Sequence, residues 1–199
     1  MAQNPIQREQ SRTALLVVDV QPTFCEGGAL PVEGGNSVAS RLADLLAGDH
    51  GYDLVVTTQD WHVDPGDHFS DEPDFVDTWP PHGVAGTAEA EVHPSLDPVS
   101  DRIGASVRKG MGAAAYSGFE GIDDNGRTLD EVLAAAGVTD VDVVGLAFDH
   151  CVRATAVDAA ANGYAVTVLE DFSASVAPET EAAARTQLAD VGVTVIASR

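Results

Sequence analysis

Lysine is nearly missing from this sequence: nine of its ten basic residues are Arg and only Lys109 is Lys, against 32 Asp and Glu. The formal net charge of −22 repels phosphate backbones and anionic lipid surfaces, which sets aside nucleic acid and membrane as partners. Cysteine is equally scarce. Cys25 and Cys151 are the only two and stand far apart, so no disulfide framework is expected and each is read as a free thiol. No apolar run approaches the ~18–20 residues that a membrane-spanning helix requires, and Met1 to Arg12 is polar with no apolar signal-like core. These absences predict a soluble, cytoplasmic protein. Residues 1–12 are expected to be a polar N-terminal extension and residues 13–199 one domain, long enough to bury a core without disulfides. Self-association into a homo-oligomer is left open by the sequence. The acidic residues are spread along the chain rather than gathered in a tail, as on a solvated surface adapted to salt.

Apolar runs bounded by turn signals alternate with Ala-rich stretches of helical character, the pattern of an α/β fold. Strands are predicted over Thr13–Asp19, Asp53–Gln59, Ala105–Lys109, Val141–Leu146, Ala165–Leu169 and Val193–Ala197. Most lack polar alternation, which indicates burial on both faces of a parallel sheet. Helices are predicted over Ser37–Ala47, Thr128–Ala136, Asp149–Ala161 and Pro178–Val191, with Gly48, Gly137 and Gly163 placed where helix ends favour glycine. The expected architecture is a three-layer α-β-α sandwich around a mainly parallel six-stranded sheet. The segment from Trp61 to Arg102, rich in Pro, Gly, His and Asp, reads as functional loops above that sheet.

Open parallel sheets bind ligands at the carboxyl ends of their strands. Asp19 ends the first predicted strand, Asp60 the second and Lys109 the third, and Cys151 follows the fourth by a short turn, so four reactive side chains should converge on one edge. Cys151 sits where a strand turns into a helix. There the helix dipole or a cation can ionise a thiol, and unpaired amides can hold an oxyanion. A free cysteine is commonly just a small buried residue; Cys151 is singled out by its company. A carboxylate buried at the end of Leu15-Leu16-Val17-Val18 needs a partner, and Lys109 can supply it. Asp19 would then carry the thiol proton to a leaving amine while Lys109 keeps the carboxylate ionised. A second group is Asp60-Trp61-His62 with His68 and His82 in the following loop. Residues i and i+2 of an extended segment point the same way, so Asp60 and His62 can share an ion that loop histidines complete. Such a donor set suits zinc, iron or manganese. His50 and His93 read as ordinary surface histidines.

Asp19-Val20-Gln21-x-x-Phe24-Cys25, Asp60-Trp61-His62, Trp79-Pro80-Pro81-His82-x-Val84-x-Gly86-Thr87, Lys109-Gly110 with Tyr116-Ser117-Gly118-Phe119, and Asp149-His150-Cys151-Val152-Arg153-x-Thr155-Ala156 occur in this order. Together, from about Thr13 to Val195, they resemble the isochorismatase-like cysteine hydrolases, in their nicotinamide-hydrolysing branch. The resemblance implies conversion of nicotinamide to nicotinate and ammonia in NAD salvage, with pyrazinamide also accepted. It implies a catalytic triad of Asp19, Lys109 and Cys151 and a metal shell of Asp60, His62 and His82, with His68 its more variable member. It further implies an ion that binds the pyridine nitrogen, a ring sandwiched by Phe24 and Trp79, and an oxyanion hole of the Ala147 and Cys151 amides after a cis Leu146–Ala147 bond. Phe148 stands where many relatives have threonine, and Gly83 where some have cysteine. The alternatives are a related amide or carbamoyl hydrolase, a metallohydrolase whose nucleophile is metal-bound water with Cys151 incidental, and a non-catalytic binding protein on the same fold.

Overall fold

The structure is a computed structural model that describes residues 11–198; most of the polar extension expected over residues 1–12 lies outside the described residues. Six strands, β1 (Thr13–Val18), β2 (Leu54–Asp60), β3 (Ala105–Lys109), β4 (Asp140–Leu146), β5 (Ala165–Ala174) and β6 (Thr194–Ile196), form one sheet in the order β3-β2-β1-β4-β5-β6. Every neighbouring pair is parallel. The alternation of a strand's side chains then builds two cores. Ala14, Leu16 and Val18 face helices α2 (Leu129–Ala135), α3 (Arg153–Ala161) and α4 (Pro178–Asp190). Leu15 and Val17 face α1 (Gly35–Ala47) and the short helical segment Pro94–Arg102 on the other side. The sandwich is therefore three layers deep, as the uninterrupted apolar strands require.

Most element boundaries shift by one or two residues from the sequence expectation, and two differ by more. β5 runs on past Leu169 through Glu170 and Asp171, whose charges end the apolar run in sequence but whose side chains are only half-buried near the sheet edge. An irregularity in register between Val143 and Gly145 lets this extension pair again, with Ala174 opposite Leu146. The helix expected from Asp149 begins as a π-helical turn, Phe148–Val152, in which the Val152 amide donates to the Ala147 carbonyl at 3.1 Å. Only from Arg153 does the chain become α-helical. No helix among the described residues is long and apolar enough to cross a membrane.

The chain builds β1, β2 and β3 outward on one side, then returns to lay β4 on the other flank of β1. The β1/β4 boundary is thus a topological switch point, where connections leave a crevice beyond the carboxyl ends of the strands. Asp19 follows β1 and Cys151 follows β4, so the fold brings these two to the crevice from adjacent strands.

Candidate active site

Asp60 and Lys109 are register partners at the ends of β2 and β3, which places both beside the crevice. Lys109 is fully buried, and its Nζ donates to Asp60 Oδ1, to the Ala115 carbonyl at 3.0 Å and to Cys151 Sγ at 3.7 Å. It also lies 2.9 Å from Asp19 Oδ2 as an ion pair. Burial opposes the lysine charge, but Asp19 and Asp60 outweigh it and hold the ammonium pKa well above its ordinary value. Asp19 has a left-handed backbone (φ 46°), unusual for a residue with a side chain. Its amide and its Oδ1 both meet Thr58, with the Thr58 hydroxyl donating to Oδ1 at 2.5 Å. Oδ2 is buried and, despite the close ammonium, receives no well-directed hydrogen bond. Burial raises the Asp19 pKa against the pull of Lys109. That leaves a carboxylate with a free lone pair and enhanced basicity next to the thiol.

Cys151 itself is held as a thiol. Burial pushes its pKa well above the ordinary range, Lys109 opposes this, and the nearby Asp19 and Asp60 charges reinforce it. The turn into α3 therefore does not by itself ionise Cys151, contrary to what its place at a helix start led us to expect. The Leu146–Ala147 bond preceding the turn is cis.

The histidines come together because the loop after β2 is zipped by short parallel bridges, His62 with Val84 and Phe69 with Trp79. The His62 amide donates to the Gly83 carbonyl and the Trp79 amide to the His68 carbonyl. His62 Nδ1 meets the Gly110 carbonyl at 2.7 Å and His82 Nδ1 the Pro80 carbonyl at 2.8 Å. A carbonyl can only accept, so each Nδ1 carries a proton, and in the neutral ring Nε2 is then the nitrogen that can ligate an ion. Both Nε2 atoms lie 3.6 Å from Asp60 Oδ2. His68 completes the group: one ring nitrogen from each of His62, His68 and His82 lies within 4.8 Å of the others, and all three residues are buried. Burial and the neighbouring histidines lower the His68 pKa to about 4, keeping its ring neutral. His62 Nε2 and His68 Nδ1 are buried without hydrogen bonds, which is unfavourable unless something else binds them. Three clustered imidazoles, two of them with a buried ring nitrogen left unbonded, beside a shared carboxylate suit a divalent metal ion. Gly83, at φ +52°, packs its bare Cα on Asp60: a Cβ there would meet Asp60 Cβ at 2.8 Å.

One cavity of about 620 Å³ is walled by Cys151, Asp60, His68, His82, Phe24 and Trp79. Ala147 also lines it, while Asp19, His62 and Lys109 lie buried behind. All the sequence-predicted site residues thus gather at one place. Phe148 does not: it is buried in the core beneath, capped by the Arg185 guanidinium 4.9 Å from its ring centre. Several residues that the sequence motifs contain, but to which no role could be given, prove to position the site. Gln21 is fully buried, takes the Asp60 amide on its Oε1 and donates to the Asp60 and Ala90 carbonyls. Asp149 accepts from the Val176 and Ala177 amides and from the Thr180 hydroxyl, and pairs with His150, which faces Trp79 edge-on. Thr58 was the hardest to foresee, its one signal being a hydroxyl at the polar end of an otherwise apolar strand.

A doubly wound α/β sheet carrying a cysteine, aspartate and lysine cluster against a histidine-rich cation site defines a class of hydrolase-like proteins. The chain belongs to the isochorismatase family, whose domain description matches residues 13–199. It is 50% identical over 185 residues to the nicotinamidase/pyrazinamidase of Mycobacterium tuberculosis, covering 93% of this chain and 98% of that protein. Among solved structures it is similar to PnC1 of L. infantum in complex with nicotinate, at 34% identity and a TM-score of 0.79, covering 94% of this chain and 93% of the other. It is also similar to the pyrazinamidase of Pyrococcus horikoshii in complex with zinc, at 34% identity and a TM-score of 0.77, covering 94% and 99%.

Proposed function

We propose that the protein is a nicotinamidase, an amidohydrolase that converts nicotinamide to nicotinate and ammonia through a Cys151 thioester. The observation that carries this reading is the meeting, around one cavity, of Cys151 with Lys109 Nζ at 3.7 Å, Asp19 Oδ2 2.9 Å from that Nζ, and the buried histidine cluster behind Asp60. The high identity to a nicotinamidase/pyrazinamidase and the nicotinate held by the L. infantum protein support the substrate. Pyrazinamide is the expected second substrate. Two free cysteines fit a reducing, cytoplasmic setting.

Phe24 and Trp79 clamp the faces of the ring. Asp60, His62, His68 and His82 would hold the ion, zinc by analogy with the P. horikoshii protein, with iron and manganese the other ions this donor set accepts. When bound, the ion holds and polarises the pyridine nitrogen. Asp19 takes the thiol proton, and the sulfur attacks the carboxamide carbon. The carbonyl oxygen becomes an oxyanion held by the Ala147 and Cys151 amides, donors fixed in place before the reaction. As the oxyanion collapses the C–N bond breaks, and Asp19 returns its proton to the nitrogen, which leaves as ammonia. Water, deprotonated by Asp19, then attacks the thioester carbon; the C–S bond breaks, Asp19 returns the proton to sulfur, and the acid so formed releases its own proton to solvent as nicotinate. Lys109 stays charged throughout and offsets the negative charge that passes between sulfur and carboxylate.

The test is ammonia release from nicotinamide by the purified protein before and after chelation and return of zinc, iron or manganese. Turnover that falls on chelation and returns with metal is expected. Silence toward nicotinamide with each metal restored would refute the substrate assignment.

A further inference from the structure

The Tyr116-Ser117-Gly118-Phe119 motif has no part in the chemistry above, yet Tyr116 lines the same cavity as Cys151, His68 and Trp79. The Tyr116 hydroxyl accepts a hydrogen bond from Trp79 Nε1 at 2.9 Å. An indole N–H can only donate, so the direction of this bond is fixed and the phenolic proton is left over. Among the described residues the hydroxyl donates to no acceptor. A phenol is protonated at neutral pH, so the proton stays on oxygen.

The residue is also held still. Its amide donates to Glu120 Oε2 at 2.8 Å, and the Ser117 amide to the same oxygen at 2.7 Å. The Gly118 amide donates to the Thr155 hydroxyl of α3 at 2.9 Å. On the other side, the Ala115 carbonyl receives a hydrogen bond from Lys109 Nζ. The Tyr116 ring stands edge-on to His68, with centroids 6.1 Å apart. A fixed donor therefore borders both the Trp79 wall and the histidine cluster.

In the nicotinamidase reading, on which this step rests, the pyridine nitrogen is taken by the ion and the carboxamide oxygen by the backbone amides. Nicotinamide has no further ring acceptor, whereas a diazine carboxamide such as pyrazinamide has one. We infer that the Tyr116 hydroxyl is a specificity-determining donor that pairs with the second ring nitrogen of diazine carboxamides, adding a hydrogen bond that pyridine carboxamides cannot make.

The experiment compares Tyr116→Phe with the wild type in kcat/KM for pyrazinamide and for nicotinamide, with the melting temperature as a check on folding. Pyrazinamide should lose about tenfold, the size of one hydrogen bond between neutral groups, mostly in KM, while nicotinamide loses about threefold or less. Equal losses would mean that Tyr116 only steadies Trp79, and no loss would mean that its proton meets water; either overturns the inference. Wild type that hydrolyses neither amide would instead refute the nicotinamidase reading and this step with it. Should the variant not fold, a crystal structure of the wild type with pyrazinoate decides. Tyr116 Oη within hydrogen-bond distance of the second ring nitrogen supports the inference, and a longer separation overturns it.

Discussion

Lys109 is the only lysine in the chain, and the structure buries it among two carboxylates and a thiol. Removing it would strand both Asp19 and Asp60 as buried, uncompensated charges. Lys109→Met is therefore expected to destabilise the fold by about 3–5 kcal/mol as well as to stop turnover; a urea unfolding curve within about 1 kcal/mol of wild type would contradict this. The raised pKa of Cys151 gives a second expectation. Because its thiolate fraction grows only as pH climbs toward that elevated value, alkylation of the ligand-free protein by iodoacetamide should be slow at pH 7 and accelerate with rising pH. Cys25 is buried and does not line the cavity that Cys151 opens onto, and peptide mapping distinguishes the two thiols. A rate already at its plateau near pH 7 would show that Lys109 outweighs burial. The sequence could single out Lys109 by its rarity and Asp19 by its apolar run. It could not reveal that Asp60 serves both clusters, with one oxygen on Lys109 and the other facing two histidines, because that depends on distances across strands.

Strands β1 and β2 were legible because each is a dense apolar run with a polar residue at its end, Asp19 after β1 and Asp60 closing β2, and the ends of β2 and β3 marked Asp60 and Lys109 without any tertiary information. The turn after β4 was not. Its π-helical form depends on the Val152 amide reaching back to Ala147, and the Asp149 contacts with the segment before α4 span long sequence separations. The loop carrying His62, His68 and His82 was legible in composition only; its bridges to Val84 and Trp79 leave no periodic signature. One glycine after β3 is tied to this loop. Gly110 has φ +75°, and a Cβ there would meet His62 Cε1 at 2.5 Å and Nδ1 at 2.7 Å, on the ring edge that the Gly110 carbonyl orients. Gly110→Ala should thus displace the imidazole and weaken zinc binding about 10–100-fold, measured by competition with a chromophoric chelator. Unchanged affinity would mean that His62 is not part of the metal shell.

The strand order places the switch point between β1 and β4, so the molecule assembles its cysteine and its aspartate from adjacent strands and imports the lysine and the metal-type cluster from β2 and β3. Around this centre the chain carries a net charge of −22. Self-repulsion of that size opposes the compact state and is screened by salt. The melting temperature should accordingly rise between low and molar sodium chloride, and an unchanged value would count against a salt-adapted surface. The centre itself is tested most directly by ammonia release from nicotinamide by Cys151→Ala, purified, folded and loaded with metal like the wild type. A thiol nucleophile predicts a fall of at least about a thousandfold in kcat. Activity within a few fold of wild type would assign the chemistry to water at the histidine cluster and contradict the thioester route.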